Sequence, residues 1–175
     1  MNRPGYNAQS GVTLIVSLLI LMSMTILGIT SMQSTRTEIS MAGNLRELGL
    51  TFNAAEAGLR AAEAFVDNSI TKVIYADPAT GLYDDTDEDP DYIDSTTWNT
   101  SHPAGTTLAH VIEQPVFIIK YLGDRSQNEV AAVNIGGYGS GQPGITVSNF
   151  RITARGTGQS GNARRYVQSY FGKEF

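Results

Sequence analysis

The chain has no cysteine, one tryptophan, two histidines and an excess of acid over base: 12 Lys+Arg against 17 Asp+Glu in 175 residues, a formal charge of −5. Without cysteine there is no disulfide framework, no thiolate metal site and no thiol nucleophile. The acidic balance excludes the broad basic surface that phosphate neutralisation needs, so no nucleic-acid partner is expected. His102 and His110 are too few for a metal cage without carboxylates, and His102, beside Pro103, reads as a solvated loop residue. No nucleophile-elbow context surrounds any serine, so enzyme activity is not expected. Two strings, Gly139-x-Gly141-x-x-Gly144 and Gly156-x-Gly158-x-x-Gly161, match the dinucleotide fingerprint as text. That fingerprint needs a helix after the turn, whereas both strings precede strand-like sequence and Pro143 interrupts the first. They read as hairpin glycines.

The next absence is of charge. No Asp, Glu, Lys or Arg occurs between Arg3 and Arg36, and within that gap 14 of the 21 residues 12–32 are large and apolar. At 1.5 Å per residue such a helix is about 31 Å long, the thickness of a bilayer's hydrocarbon core. The stretch is longer than a secretory signal's apolar region, and no small-x-small cleavage site follows promptly. With Arg3 and the amino terminus ahead of it, positive-inside logic keeps the leader in the cytoplasm and exports the rest to the periplasm.

Beyond the span, Leu45, Leu48, Phe52, Ala55, Leu59, Ala62 and Val66 recur at spacings of three and four, one apolar stripe on a helix. Glu56 and Arg60 lie off it as a favourable i,i+4 pair. A single helix over about 12–67 is predicted, with two helices joined near 42–44 as the alternative. Residues 68–114 contain seven of the 17 acids within 84–94, and 73–119 lack any Lys or Arg. This reads as a long exposed loop, mobile or held by a partner. Asp85, Asp87 and Asp89 are spaced like the first ligands of a calcium loop, but Pro90 and Thr96 occupy positions that need Gly and Glu, which excludes an EF-hand. An irregular calcium site stays open beside a plain solvated loop.

The last third, 115–175, alternates as strands do: 116–122, 129–135, and then Phe150, Ile152 and Ala154 against Arg151, Thr153 and Arg155. A fourth, Tyr166 to Phe171, follows a glycine-rich turn. The expected fold is α+β, a long N-terminal helix packed on a small antiparallel sheet. Its segments are a leader (1–11), a membrane half-helix (12–34), an amphipathic half-helix (35–67), the acidic region and the β region.

A short leader ending in Gly11, an uncharged helix from Val12, an amphipathic extension and a β-rich end together resemble a type IV pilin precursor. More narrowly, GVTLIVSLLILMSMTILG, MAGNLRELGLTFNAAEAGLRAAE and FRITARGTGQSGNARRYVQSYF resemble the PilX-type minor pilins of the type IV pilus. The resemblance implies cleavage after Gly11 by an inner-membrane prepilin peptidase, leaving Val12 as an N-methylated terminus. It implies other minor and major pilins as partners, and roles in assembly initiation, adhesion and twitching motility from the inner membrane and then the extracellular pilus. Two departures stand out. Val12 replaces the usual Phe, and Val16 replaces the glutamate that pilins carry at the fifth mature position to meet the amine of the subunit above. A chain without that carboxylate loses nothing if it has no neighbour above, so a place at or near the filament tip is expected. A type II secretion pseudopilin, which can share the missing glutamate, and a membrane-anchored periplasmic binding module are the competing readings.

Overall fold

The computed structural model describes residues 11–126 and 146–175. Residues 1–10, within the expected leader, the predicted strand 129–135 and the first glycine string lie outside the described residues. The chain forms two compact units, Met1–Leu45 and Arg46–Phe175.

Helix α1 spans Val12–Asn68, 57 residues. It is helical at Gly28 and throughout 42–44, so the two-helix alternative is not what the chain adopts. A Cβ at Gly28, Gly43 or Gly49 would meet nothing within 4 Å. Glycine at these positions costs only its helix propensity, about 1 kcal/mol each, which a helix of this length absorbs.

In the second unit three long strands form an antiparallel meander: β3 (Val116–Ser126), β4 (Thr146–Thr157) and β5 (Arg164–Lys173). Two two-residue strands, β1 (Leu82–Tyr83) and β2 (His102–Pro103), share the other edge of β3. β1 runs parallel to β3, pairing Leu82 with Ile119, which makes the sheet mixed rather than wholly antiparallel. Gly81, at φ 78°, turns the chain into β1, and its carbonyl accepts from the Ile119 N–H at 2.9 Å. Two residues are too few to register as alternation. The α+β reading holds.

Odd positions of β3 (Phe117, Ile119) and even positions of β4 (Phe150, Ile152, Ala154) share one face, as strand periodicity requires, and bury against Leu59, Ala62, Val66, Tyr75 and Leu82. The buried face of α1 is Thr51, Ala54, Ala55, Gly58, Leu59, Ala62 and Val66. The predicted stripe is therefore right from Ala55 onward and wrong before it: Leu45, Leu48 and Phe52 are 60%, 39% and 48% exposed. The cause lies in β4. A Cβ on Gly156 would run into the backbone of Thr51 and Ala55, and one on Gly158 into the Glu47 carboxylate. The helix backbone thus lies directly on the strand, and only small residues fit between them. Gly156 is a close-approach glycine within β4, whereas Gly158 lies in the β4–β5 hairpin as expected, its N–H donating to Ala163 O at 3.1 Å. Gly161, at φ 76°, is the turn residue of its string.

The end of α1 has no basic residue in its last turn. Lys173 of β5 takes that place, its Nζ donating to the carbonyls of Val66 (2.9 Å), Asp67 and Ser69 (2.6 Å). A cation there satisfies orphan carbonyls and complements the helix dipole. The acidic region is not a bare loop. Three 3₁₀ turns (Lys72–Tyr75, Pro78–Thr80, Thr96–Thr100) punctuate it, and it lies over the outer face of β4, where Thr153 is buried and Arg151 and Arg155 are half-buried. The polar face of β4 is therefore covered, not solvated.

Candidate functional site

Gly11 sits in a turn and Val12 opens α1; both are exposed. Every residue from 12 to 46 is exposed, among them Leu14, Leu18, Leu21, Met24, Leu27 and Met32, so no apolar side chain of 12–32 is covered. This is one helix long and apolar enough to cross a membrane, by length and composition. Four of its hydroxyls bond back to its own backbone. Ser17 donates to Leu14 O (2.8 Å), Ser23 to Leu19 O (2.8 Å), Thr25 to Leu21 O (2.7 Å) and Thr30 to Ile26 O (2.8 Å). Such back-bonding lets hydroxyls stand in hydrocarbon without an external partner.

Among the described residues, nothing acidic lies at the amino end of this helix. Its first N–H groups have no intrahelical acceptors, and its first turn holds no acidic residue. Val16 is 48% exposed and offers no carboxylate.

The three candidate calcium ligands do different work. Asp87 Oδ2 accepts the Asp84 N–H (2.7 Å), while the Asp85 N–H donates to Asp84 Oδ1 (2.9 Å). Asp89 turns to the sheet, pairing with Arg151 (2.7 Å) and with Lys120 (3.2 Å), whose side chain is 7% exposed. Arg151 foremost, then Lys120, holds the Asp89 carboxyl below its ordinary range. Among the described residues no three His, Cys, Asp or Glu side chains are grouped to hold a metal ion. His102 is half-buried between the rings of Phe65 (4.9 Å) and Phe117 (5.0 Å) rather than solvated. His110 is exposed, at φ 64°.

The most perturbed carboxylate is one the sequence did not single out. Asp124 follows a bulge after Tyr121 and accepts from Lys72 Nζ (2.6 Å), Ser148 Oγ (2.5 Å) and Tyr121 Oη (2.6 Å). Those bonds, the lysine's first, lower its pKa to about 2. The cluster ties the turn after α1 to β3 and β4, and its members are separated by up to 76 positions, between Lys72 and Ser148. No local pattern could reveal it.

Compared with known families, residues 10–60 match the PilX N-terminal family and residues 71–173 match the type IV pilus assembly protein PilX C-terminal family. No curated protein and no solved structure matches the chain.

Proposed function

Because the chain belongs to the PilX family of type IV pilus assembly proteins, we propose that it is a minor pilin seated at or near the filament tip. Prepilin peptidase cuts after Gly11, and residues 12–32 hold the product in the inner membrane with the second unit in the periplasm. Extraction then moves the helix from lipid into the filament, among the helices of other minor and major pilins. Association there relies on packing, because lipid tails supply no water-driven term. The hydroxyls bonded to their own helix suit this, since they leave the outer surface apolar. From this position the protein acts in starting assembly, and through it in adhesion and motility.

The observation that carries the reading is the uncharged, wholly uncovered helix surface headed by Val12, with Val16 in place of a carboxylate. The Val12 amine needs an anion from the subunit below, and nothing in the first turn serves an amine from a subunit above. Immunogold labelling of sheared pili tests this. The wild type is expected at one filament end, and Val16→Glu, which restores an acceptor, is expected along the shaft. Label along the shaft in the wild type, or an unchanged position for Val16→Glu, counts against the tip assignment.

A further inference from the structure

The two edges of the sheet are finished differently. The far side of β3 is occupied by β1 and β2, and the β3–β4 ladder is broken by a register shift between Tyr121 and Asp124. β5 ends the sheet on the other side, with β4 as its one neighbour among the described residues. All ten of its residues, Arg164 to Lys173, pair in unbroken register with Thr157 to Ser148. In an antiparallel strand alternate residues turn their N–H and C=O groups toward one neighbour and the rest away from it. About half of the main-chain groups of β5 therefore face its open side, and none of its residues is buried.

Natural edges are blunted by shortness, bulges, proline or charge. β5 has none of the first three, and its middle, YVQSYFG from Tyr166 to Gly172, is uncharged and rich in strand-favouring residues. Charge is confined to the ends. Lys173 is engaged by the carbonyls at the end of α1. Arg164 and Arg165 are exposed, and among the described residues no ion pair reaches either. As neighbours in a strand they stand on opposite faces of the sheet. These charges decide between occupants. A second β5 laid parallel in register sets arginine beside arginine, and one laid antiparallel with full overlap sets Arg164 opposite Lys173 at both ends. Like charges directly opposite are destabilising. A strand of another protein with two adjacent acids at the arginine end has no such cost and reaches one arginine on each face. Further along, on the face shared with Arg151 and Arg155, its side chains meet Tyr166 and Tyr170, 41% and 71% exposed.

We infer that the open edge of β5 is a docking site for an extended segment of another protein, one with two adjacent acidic residues at one end of an uncharged stretch of about six residues. The segment adds a strand to the sheet. Main-chain bonds to β5 hold it, Arg164 and Arg165 fix its register, and Tyr166 and Tyr170 pack against its alternate side chains. The edge lies wholly within the second unit, so this docking does not depend on the place of the helix in a filament.

The test is amide hydrogen exchange of the full chain in zwitterionic detergent, followed by nuclear magnetic resonance, with blocked peptides as probes. TVTVTVDD and DDTVTVTV serve the two directions of pairing. The same peptides with KK for DD test charge, and with PP at the centre they keep the charge but cannot form a ladder. One of the aspartate peptides is expected to slow exchange at alternate amides of Tyr166–Gly172, about tenfold at ten times its half-saturating concentration, and to leave β4 unchanged. The lysine and proline peptides are expected to have no such effect. Arg164→Glu together with Arg165→Glu is expected to weaken the aspartate peptide about tenfold and to transfer the response to a lysine peptide, with exchange in α1 and β4 as in the wild type. No slowing with either aspartate peptide at millimolar concentration overturns the inference. So does equal binding of the lysine or proline peptides by the wild type, or an unchanged preference in the charge-reversed variant.

Discussion

Replacing Gly156 by alanine adds one methyl group at the place where α1 and β4 come closest. The new Cβ would overlap the Ala55 nitrogen, the Thr51 carbonyl oxygen and the Ala54 carbonyl carbon, all backbone atoms of a continuous helix. Backbone cannot rotate aside as a side-chain tip does, so the helix must lift off the strand. Overpacking of a closed contact costs about 1–3 kcal/mol when side chains can give. Since they cannot here, Gly156→Ala is expected at or above the upper end, about 3 kcal/mol. Gly49→Ala is the matched control: it lies in the same helix with nothing within 4 Å of its Cβ, and should stabilise by about 1 kcal/mol through propensity alone. Trp98 is the chain's one tryptophan and is buried in the second unit, so its fluorescence follows urea unfolding of that unit in detergent. Gly156→Ala within about 0.5 kcal/mol of the wild type would refute the backbone-contact argument.

Two further expectations concern the ties between helix and sheet. Lys173→Met removes three bonds to carbonyls at the end of α1 and should cost about 2 kcal/mol, with faster amide exchange in the helix's last turn but not at Thr51. Asp124 has its pKa lowered to about 2 from an ordinary 3.8, so its bonds stabilise the fold while it is ionised. That contribution is complete above the ordinary value and disappears as pH falls toward 2; Asp124→Asn should flatten this part of the acid-unfolding curve.

Large-scale features were legible because they are repetitive. The absence of charge from 4 to 35 and the three-four spacing of Leu59, Ala62 and Val66 sufficed for α1, and alternation at Phe150–Arg155 sufficed for β4. The helix face was misplaced at Leu45, Leu48 and Phe52 because large apolar residues were weighted over small ones. The contact is instead made by Thr51, Ala54, Ala55 and Gly58 against a strand glycine. The same reasoning left Arg151, Thr153 and Arg155 in solvent, since nothing local shows that Tyr92 and Trp98 cover them. Strands β1 and β2 are too short to alternate, and Lys120, a charge inside an apolar strand, is explained by the Asp89 carboxylate and the Asp87 carbonyl, 31 and 33 positions away. The proposal at Gly11, Val12 and Val16 draws on local features alone: an absent charge, a glycine and a bare first turn.

The central claim is that the helix headed by Val12 is released from its leader and rebuilt into a filament. Mass spectrometry of the N-terminal peptide from sheared pili tests it most directly. A peptide beginning at Val12 and carrying one methyl group on its amine is predicted, and it should vanish from cells lacking the peptidase. A peptide that still includes residues 1–11, or sheared pili that contain none of this chain, would contradict the account.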